Sequence, residues 1–191
     1  MKVGILAAGR GERLQADGLR VPKPLVPIRG VPLIGRLLHA LRHGAVGEEL
    51  EAEPFLLLTT DTVFSPTVLP AFLQHASQIS HADGVLALTP FVEDEKPLWV
   101  ELDIHGRIRR LGDQAREGSL VTAGIYFFTP TVYREADSAR RLGFAALRQF
   151  LAHLVERGCR LYGYTVPKVI DVDRLVDIAT AEAFLAEEGI V

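Results

Sequence analysis

The chain predicts an α/β fold of three layers, with helices on both faces of a mixed, mostly parallel sheet and an antiparallel hairpin inserted. Three observations predict it. Short continuous apolar runs alternate with amphipathic helical stripes. The first two apolar runs end at a glycine loop and at an aspartate, and sites in such sheets collect at the C-terminal ends of strands. One stretch alternates residue by residue around a turn, which marks a hairpin.

The elements follow in order. Residues 3–8 form a short apolar run suited to a buried parallel strand. In "PLIGRLLHALRHGA", Leu33, Ile34, Leu37, Leu38 and Leu41 share one helical stripe, with Pro32 near the first turn and Gly44 at the end. "PFLLLTTD" is a second buried strand carrying Asp61 at its end. "SPTVLPAFLQHASQ" opens a helix with Ser65 as N-cap and Pro66 at the first helical position. "GVLALTPF" is a third strand, and "LWVELDIHGRIRRLG" is the hairpin, turning near His105-Gly106. "LVTAGIYFFT" is a long apolar strand, after which Thr129-Pro130 starts a helix. "FAALRQFLAHLVERG" is amphipathic and stops at Gly158. "CRLYGYTV" is a strand, and the last helix covers about 175–188 with Ile178, Ala181, Phe184 and Leu185 inward. No repeat, low-complexity tract or linker interrupts residues 1–191, so the reading is a single domain.

Composition narrows the function. The chain has 191 residues, 48% hydrophobic and 24% charged, with a formal net charge of −3. A broad nucleic-acid footprint would need a basic excess, so nucleic acid is not expected as a partner. No apolar run approaches the ~18 residues of a membrane span, and the N-terminus does not read as a signal peptide. Cys159 is the only cysteine. It reads as a small core residue at the start of a strand rather than a catalytic thiol. A reducing cytoplasm fits these features.

The opening stretch carries the chemistry: "LAAGRGERLQADGLRVPKPLVPIRGVPLI". A dinucleotide loop, G-x-G-x-x-G, fails because Leu14 takes the last glycine position and no acidic residue closes a second strand ~20 residues on. A Walker A loop fails because Pro24 follows Lys23. What the residues can do is still specific. Gly9 and Gly11 let the backbone approach a polyphosphate and aim N–H groups at it. Arg13 and Lys23 supply positive charge where a triphosphate meets a phosphate monoester. Pro22 and Pro24 stiffen the backbone that carries the lysine.

This stretch resembles the signature of the sugar-phosphate nucleotidyltransferases, in the glycine loop, the arginine, "PKPL", and "PI.G.PLI" before a helix. The resemblance implies a Rossmann-like fold and a reaction. A nucleoside triphosphate is joined to a phosphorylated sugar or polyol, and pyrophosphate is released. It implies that Leu6, Ala7, Ala8, Gly9, Arg10, Gly11, Glu12, Arg13 and Lys23 bind the nucleotide, with Arg13 and Lys23 as catalytic residues.

Nucleotidyl transfer needs a divalent cation to spread the developing charge, and Mg2+ is usually held by one or two protein carboxylates plus phosphates and water. Asp61 and Asp171 suit that need if their strand ends meet. By resemblance, Asp61 matches the metal-binding aspartate after the central strand. Asp171 matches the first aspartate, and Asp177 the last, of a late "D-I-D/G-T-P-E-D" segment. The Thr-Pro pair is lost, since Arg174, Leu175 and Val176 fill the middle. Asp173 reads as a cap of the final helix.

The acceptor side is less determined. By resemblance, Thr122 and Gly124 of "LVTAGIYFF" face the sugar, although Thr122 equally suits a plain sheet position. "RRLGDQ" stands where relatives carry a Glu-Lys pair; Asp113 could replace the acid, but Gln114 cannot replace the cation. Lys168 is a candidate for the acceptor phosphate. Lys96 and Trp99 of "EDEKPLW" form either part of the acceptor pocket or a solvated loop with one aromatic anchor.

One departure is large. Relatives follow the first helix with a further strand, crossover and helix before the metal aspartate. Here the helix reaches the aspartate strand across about ten residues, too few for a parallel crossover. Either the chain is a trimmed member, or a βα segment near 46–53 is absent from the numbered sequence. The expected protein is a Mg2+-dependent cytoplasmic nucleotidyltransferase, with homo-oligomerisation left open. The alternatives are a molybdenum-cofactor type of nucleotidyltransferase and a nucleotide-binding regulatory protein without turnover.

Overall fold

The structure is a computed structural model that describes residues 2–7, 9, 11–41, 53–91, 97–116 and 120–190. Lys96, Ala8, Arg10 and the 46–52 connection therefore lie outside the described residues.

The first strand, β1 (Lys2–Leu6), runs into the glycine loop and a short helix, α1 (Glu12–Ala16). A 3-10 turn at Lys23–Leu25 follows, then the two-residue strands β2 (Pro27–Ile28) and β3 (Val31–Pro32) and helix α2 (Leu33–Leu41). Next come β4 (Phe55–Thr59), β5 (Thr62–Phe64), α3 (Val68–Gln78) and β6 (Gly84–Thr89). The hairpin is β7 (Trp99–Leu102) and β8 (Ile108–Leu111), and it leads to the long strand β9 (Leu120–Phe128). The chain ends with α4 (Ala136–Arg141), α5 (Leu147–Glu156), β10 (Leu161–Thr165), β11 (Val169–Asp171) and α6 (Leu175–Glu187).

Among the described residues the main sheet runs in the order β1-β4-β9-β6-β10, with the β7–β8 hairpin attached to β9. The β1–β4 and β6–β10 pairs are parallel, and β9 runs antiparallel between β4 and β6. This is the mixed, mostly parallel sheet with an inserted hairpin that the patterning predicts.

The period-two alternation of the strands divides the core between two faces. Leu56, Leu58, Val85, Ala87, Ala123 and Ile125 point to the face covered by α2 and α3. Leu86, Leu88, Tyr126 and Phe128 point to the other face, where Leu151 and Leu154 of α5 and Val100 of the hairpin meet them. Cys159 packs at the margin of this second cluster, and burial pushes its thiol up, consistent with a core residue.

A third apolar cluster decides where the site lies. Leu14 of α1, Val26 and Ile28 after the 3-10 turn, Val63 of β5, Ile170 of β11 and Phe184 of α6 pack together. It welds the glycine-loop segment to the C-terminal helix, two regions some 150 residues apart in sequence.

Two predicted helix starts move. Pro66 stands ahead of α3, which begins at Val68; the Val68 N–H donates to the Ser65 carbonyl and closes a turn instead. Thr129-Pro130 opens a 3-10 segment, Pro130–Glu135, before α4. The Thr129 hydroxyl donates to the Asp83 carbonyl at 3.2 Å, so its side chain is occupied across the sheet rather than as a cap.

Candidate active site

The β1 and β4 strands are parallel, so their C-terminal ends emerge side by side. The Thr60 N–H donates to the Leu6 carbonyl at 3.1 Å and ties the two ends. The glycine loop leaves one end, and Asp61 leaves the other. The small antiparallel pair β5–β11 then brings the late aspartates in: Asp171 pairs with Thr62, and the Val172 N–H donates to the Asp61 carbonyl at 2.8 Å. The condition set by the sequence, that the strand ends of Asp61 and Asp171 lie close, is met.

Lys23 stands at the centre. Its side chain is only 8% exposed. Its Nζ donates to Asp61 Oδ2 at 2.9 Å and also to Asp173 Oδ1. Arg13 Nη1 donates to the other oxygen of Asp173 at 2.8 Å. Two cations and two carboxylates thus form one chain, Arg13–Asp173–Lys23–Asp61. Burial alone would lower the Lys23 pKa; the two carboxylates outweigh it and hold the ammonium above its ordinary value. The lysine is therefore a fixed positive charge across the physiological range.

Asp173 corrects the expectation made from sequence. It does not cap α6. The Asp173 and Arg174 N–H groups both donate to Asp177 Oδ2, at 2.8 and 2.7 Å, so Asp177 does the capping from inside the first turn. Asp17, just past α1, accepts a further N–H from Leu175 at 3.2 Å. With its backbone held from behind, Asp173 turns its carboxylate toward Arg13 and Lys23. The D-x-D spacing, with side chains alternating across an extended segment, was the available signal for it.

Gly11 and Gly124 are required by geometry. Gly11 has φ +63°, and a Cβ there would come within 3.3 Å of the Lys23 Cβ. Gly124 has φ +70°, and a Cβ would meet Thr59 Oγ1 and Thr62 Cγ2 at 2.4 Å. The β6–β9 register shifts between Leu86 and Leu88, which face Tyr126 and Thr122, so β9 bulges around Gly124. The bulge opens the sheet next to Asp61.

Two clefts flank Lys23. One, of about 610 Å³, is lined by Ala7 and Gly9 of the loop together with Arg20 and Lys23. The other, of about 270 Å³, is lined by Asp61, Asp171 and Asp173 along with Thr122, Gly124 and Tyr126. Lys23 lines the first and reaches the carboxylates of the second. Leu6 ends β1 ahead of the loop, Gly11 is the residue before α1, and Glu12 and Arg13 open α1.

Two other expected acceptor residues stand beside the cleft, next to residues of its lining. Trp99 is half-buried on β7, paired with Val121, and the cleft wall is formed by its neighbours Pro97 and Leu98. Lys168 places its Nζ 4.4 Å from the Phe91 ring centre and 5.8 Å from that of Phe184, outside the cleft lining. The Gln114 amide donates to Glu156 at the far end of α5, so the Asp113-Gln114 turn faces away from the cleft.

The lining groups that were not singled out in the sequence include Arg20, Tyr126 and Arg148. Burial pushes the Tyr126 phenol well above its ordinary value; a hydrogen bond with Thr122 opposes this, Asp171 and Asp61 add to it, and Arg148 opposes it. Tyr126 is thus a neutral hydroxyl facing the carboxylates.

The donor set fits a hard divalent cation. Asp61 and Asp171, with Asp173, line one cleft and offer only oxygen donors. Among the described residues no group of three or more His, Cys, Asp or Glu forms a metal cage.

No family model matches the chain. Solved structures do. The structure of the inositol-1-phosphate CTP transferase from T. maritima superposes with a TM-score of 0.77 at 17% identity, covering 100% of this chain and 97% of that one. A Bacillus anthracis structure described as a glucose-1-phosphate thymidylyltransferase, in complex with a sucrose, gives 0.76 at 16% identity, covering 96% and 94%. The chain has the Rossmann-like α/β fold of these nucleotidyltransferases over nearly their whole length. No helix among the described residues is long and apolar enough to cross a membrane.

Proposed function

We propose that the chain is a Mg2+-dependent cytoplasmic nucleotidyltransferase that moves a nucleoside monophosphate from a nucleoside triphosphate to a phosphorylated sugar or polyol. The observation that carries this reading is the Arg13–Asp173–Lys23–Asp61 chain standing between two clefts. The glycine-loop cleft takes the triphosphate, and the aspartate-lined cleft takes the acceptor. Shared fold with two such enzymes supports the reaction class.

Asp61 and Asp171 would hold Mg2+, which would supply positive charge to offset that of the phosphates. Gly9, Gly11 and Arg13 hold the β- and γ-phosphates. Lys23, kept charged and aimed by Asp173, offsets charge at the α-phosphate. The acceptor's phosphate oxygen attacks the α-phosphorus in line, and pyrophosphate leaves. No general base is required, because a phosphate monoester with a second pKa of ~6 is already dianionic near neutral pH. Positioning and charge then supply most of the rate.

The test is a pyrophosphate-release screen. Four nucleoside triphosphates are set against a panel of sugar and polyol phosphates with Mg2+. Release that requires both partners is expected for at least one pair. Nucleotide binding without release for any pair would favour the regulatory reading instead.

A further inference from the structure

The acceptor cleft carries three carboxylates, Asp61, Asp171 and Asp173, yet the proposed acceptor is an anion. Lys23 and Arg13 already offset Asp61 and Asp173; a cation of the acceptor cleft itself would hold the incoming phosphate. Arg148 is the one lysine or arginine among the described residues lining this cleft. It stands in the first turn of α5 with an exposed side chain.

The helix beneath it is firmly placed. Leu151 and Leu154 are fully buried in the second core cluster, and Leu147 lines the cleft beside Arg148. The Ala145 and Ala146 N–H groups both donate to Gln149 Oε1, at 2.9 and 3.0 Å. The Gln149 side chain thus fixes the turn that leads into α5 and Arg148. Tyr126 lines the same cleft as Asp61, Asp171 and Arg148.

We propose that Arg148 receives the acceptor's phosphate, and that the cleft admits a small phosphomonoester, a single ring or a short chain. A guanidinium fork matches phosphate oxygens in a bidentate way that an ammonium does not. The cleft, about 270 Å³, lies near the lower end of ligand sites, which start at roughly 300 Å³. The inference rests on the nucleotidyltransferase reading for the identity of the anion.

The test titrates the full chain with inositol 1-phosphate, glucose 1-phosphate and inorganic phosphate, each with Mg2+, and with the unphosphorylated alcohols. Arg148→Ala should weaken phosphate-ester binding by roughly tenfold or more, and Arg148→Lys should recover part of it. Triphosphate affinity should stay within about twofold, as should that of any alcohol that binds. Unchanged phosphate binding in Arg148→Ala, an equal loss for the triphosphate, or no phosphate binding to the wild type would each overturn the proposal. The underlying reading fails separately. A wild type that binds phosphate esters through Arg148 but releases no pyrophosphate refutes the transferase and keeps the site. Turnover whose acceptor KM ignores Arg148→Ala does the reverse.

Discussion

At the scale of single residues, Lys23 is the pivot. It is buried, charged and shared by two carboxylates, one of which is a proposed metal ligand. The free site is therefore neutralised from within, and a divalent cation must compete with Nζ for Asp61. Lys23→Met should abolish turnover and yet tighten Mn2+ binding, measured without nucleotide, by roughly tenfold. Weaker or unchanged Mn2+ binding in the variant would show that lysine and metal do not share Asp61. Much of this residue set was legible. Asp61 and Asp171 sit at the expected strand ends, and Arg13 and Lys23 lie in α1 and the 3-10 turn that follow the glycine loop. Asp173 was not, because an aspartate before a helix is a good cap on local grounds, and only the distant third core cluster brings Arg13 and Lys23 to it. Arg148 carried no local signal, since an arginine on the exposed face of an amphipathic helix looks like solvated surface.

Among the secondary-structure elements, the start of α6 positions the site. Asp177 accepts two N–H groups, from Asp173 and Arg174, and so orients the backbone that carries Asp173. Asp177→Ala should cost about 0.5–2 kcal/mol of stability, as loss of a helix cap does. It should also lower kcat, because Asp173 loses its bearing on Lys23. Thermal melting and steady-state kinetics check the two effects. A lower Tm with unaltered kcat would limit Asp177 to a structural role. Helices with long apolar stripes, such as α2 and α6, were readable from periodicity alone. The starts of α3 and α4 were not: Ser65 and Thr129 have the right residue types, but the Ser65 carbonyl closes a turn ahead of α3 and the Thr129 hydroxyl is claimed by the sheet.

For the whole molecule, the mixed sheet was foreseen because buried strands and amphipathic helices have different periods. The antiparallel direction of the central β9 was not, since an apolar run gives no direction by itself. The edge of the sheet is clamped by Asp83 and Arg160. The Arg160 N–H donates to Asp83 Oδ2 at 2.8 Å, and the guanidinium reaches both carboxylate oxygens. Burial alone would raise the Asp83 pKa, but the bonds from Arg160 hold it below its ordinary value of 3.8. A depressed carboxylate stabilises the fold above the unfolded-state pKa, and that contribution is lost as pH falls through the folded-state value. Asp83→Asn should therefore lower Tm at neutral pH, and the difference from wild type should shrink on acidification below pH ~4. A difference that stays constant down to that range would mean that the charge on Asp83 contributes nothing.

The central claim is that the acceptor's own phosphate attacks the α-phosphorus between the two clefts. It is tested by giving the enzyme an acceptor whose phosphate is labelled with heavy oxygen, then weighing both products by mass spectrometry. The expected result is a nucleoside-diphospho product that keeps every labelled oxygen, with an equal amount of unlabelled pyrophosphate. Label in the pyrophosphate, or orthophosphate released in its place, would contradict it.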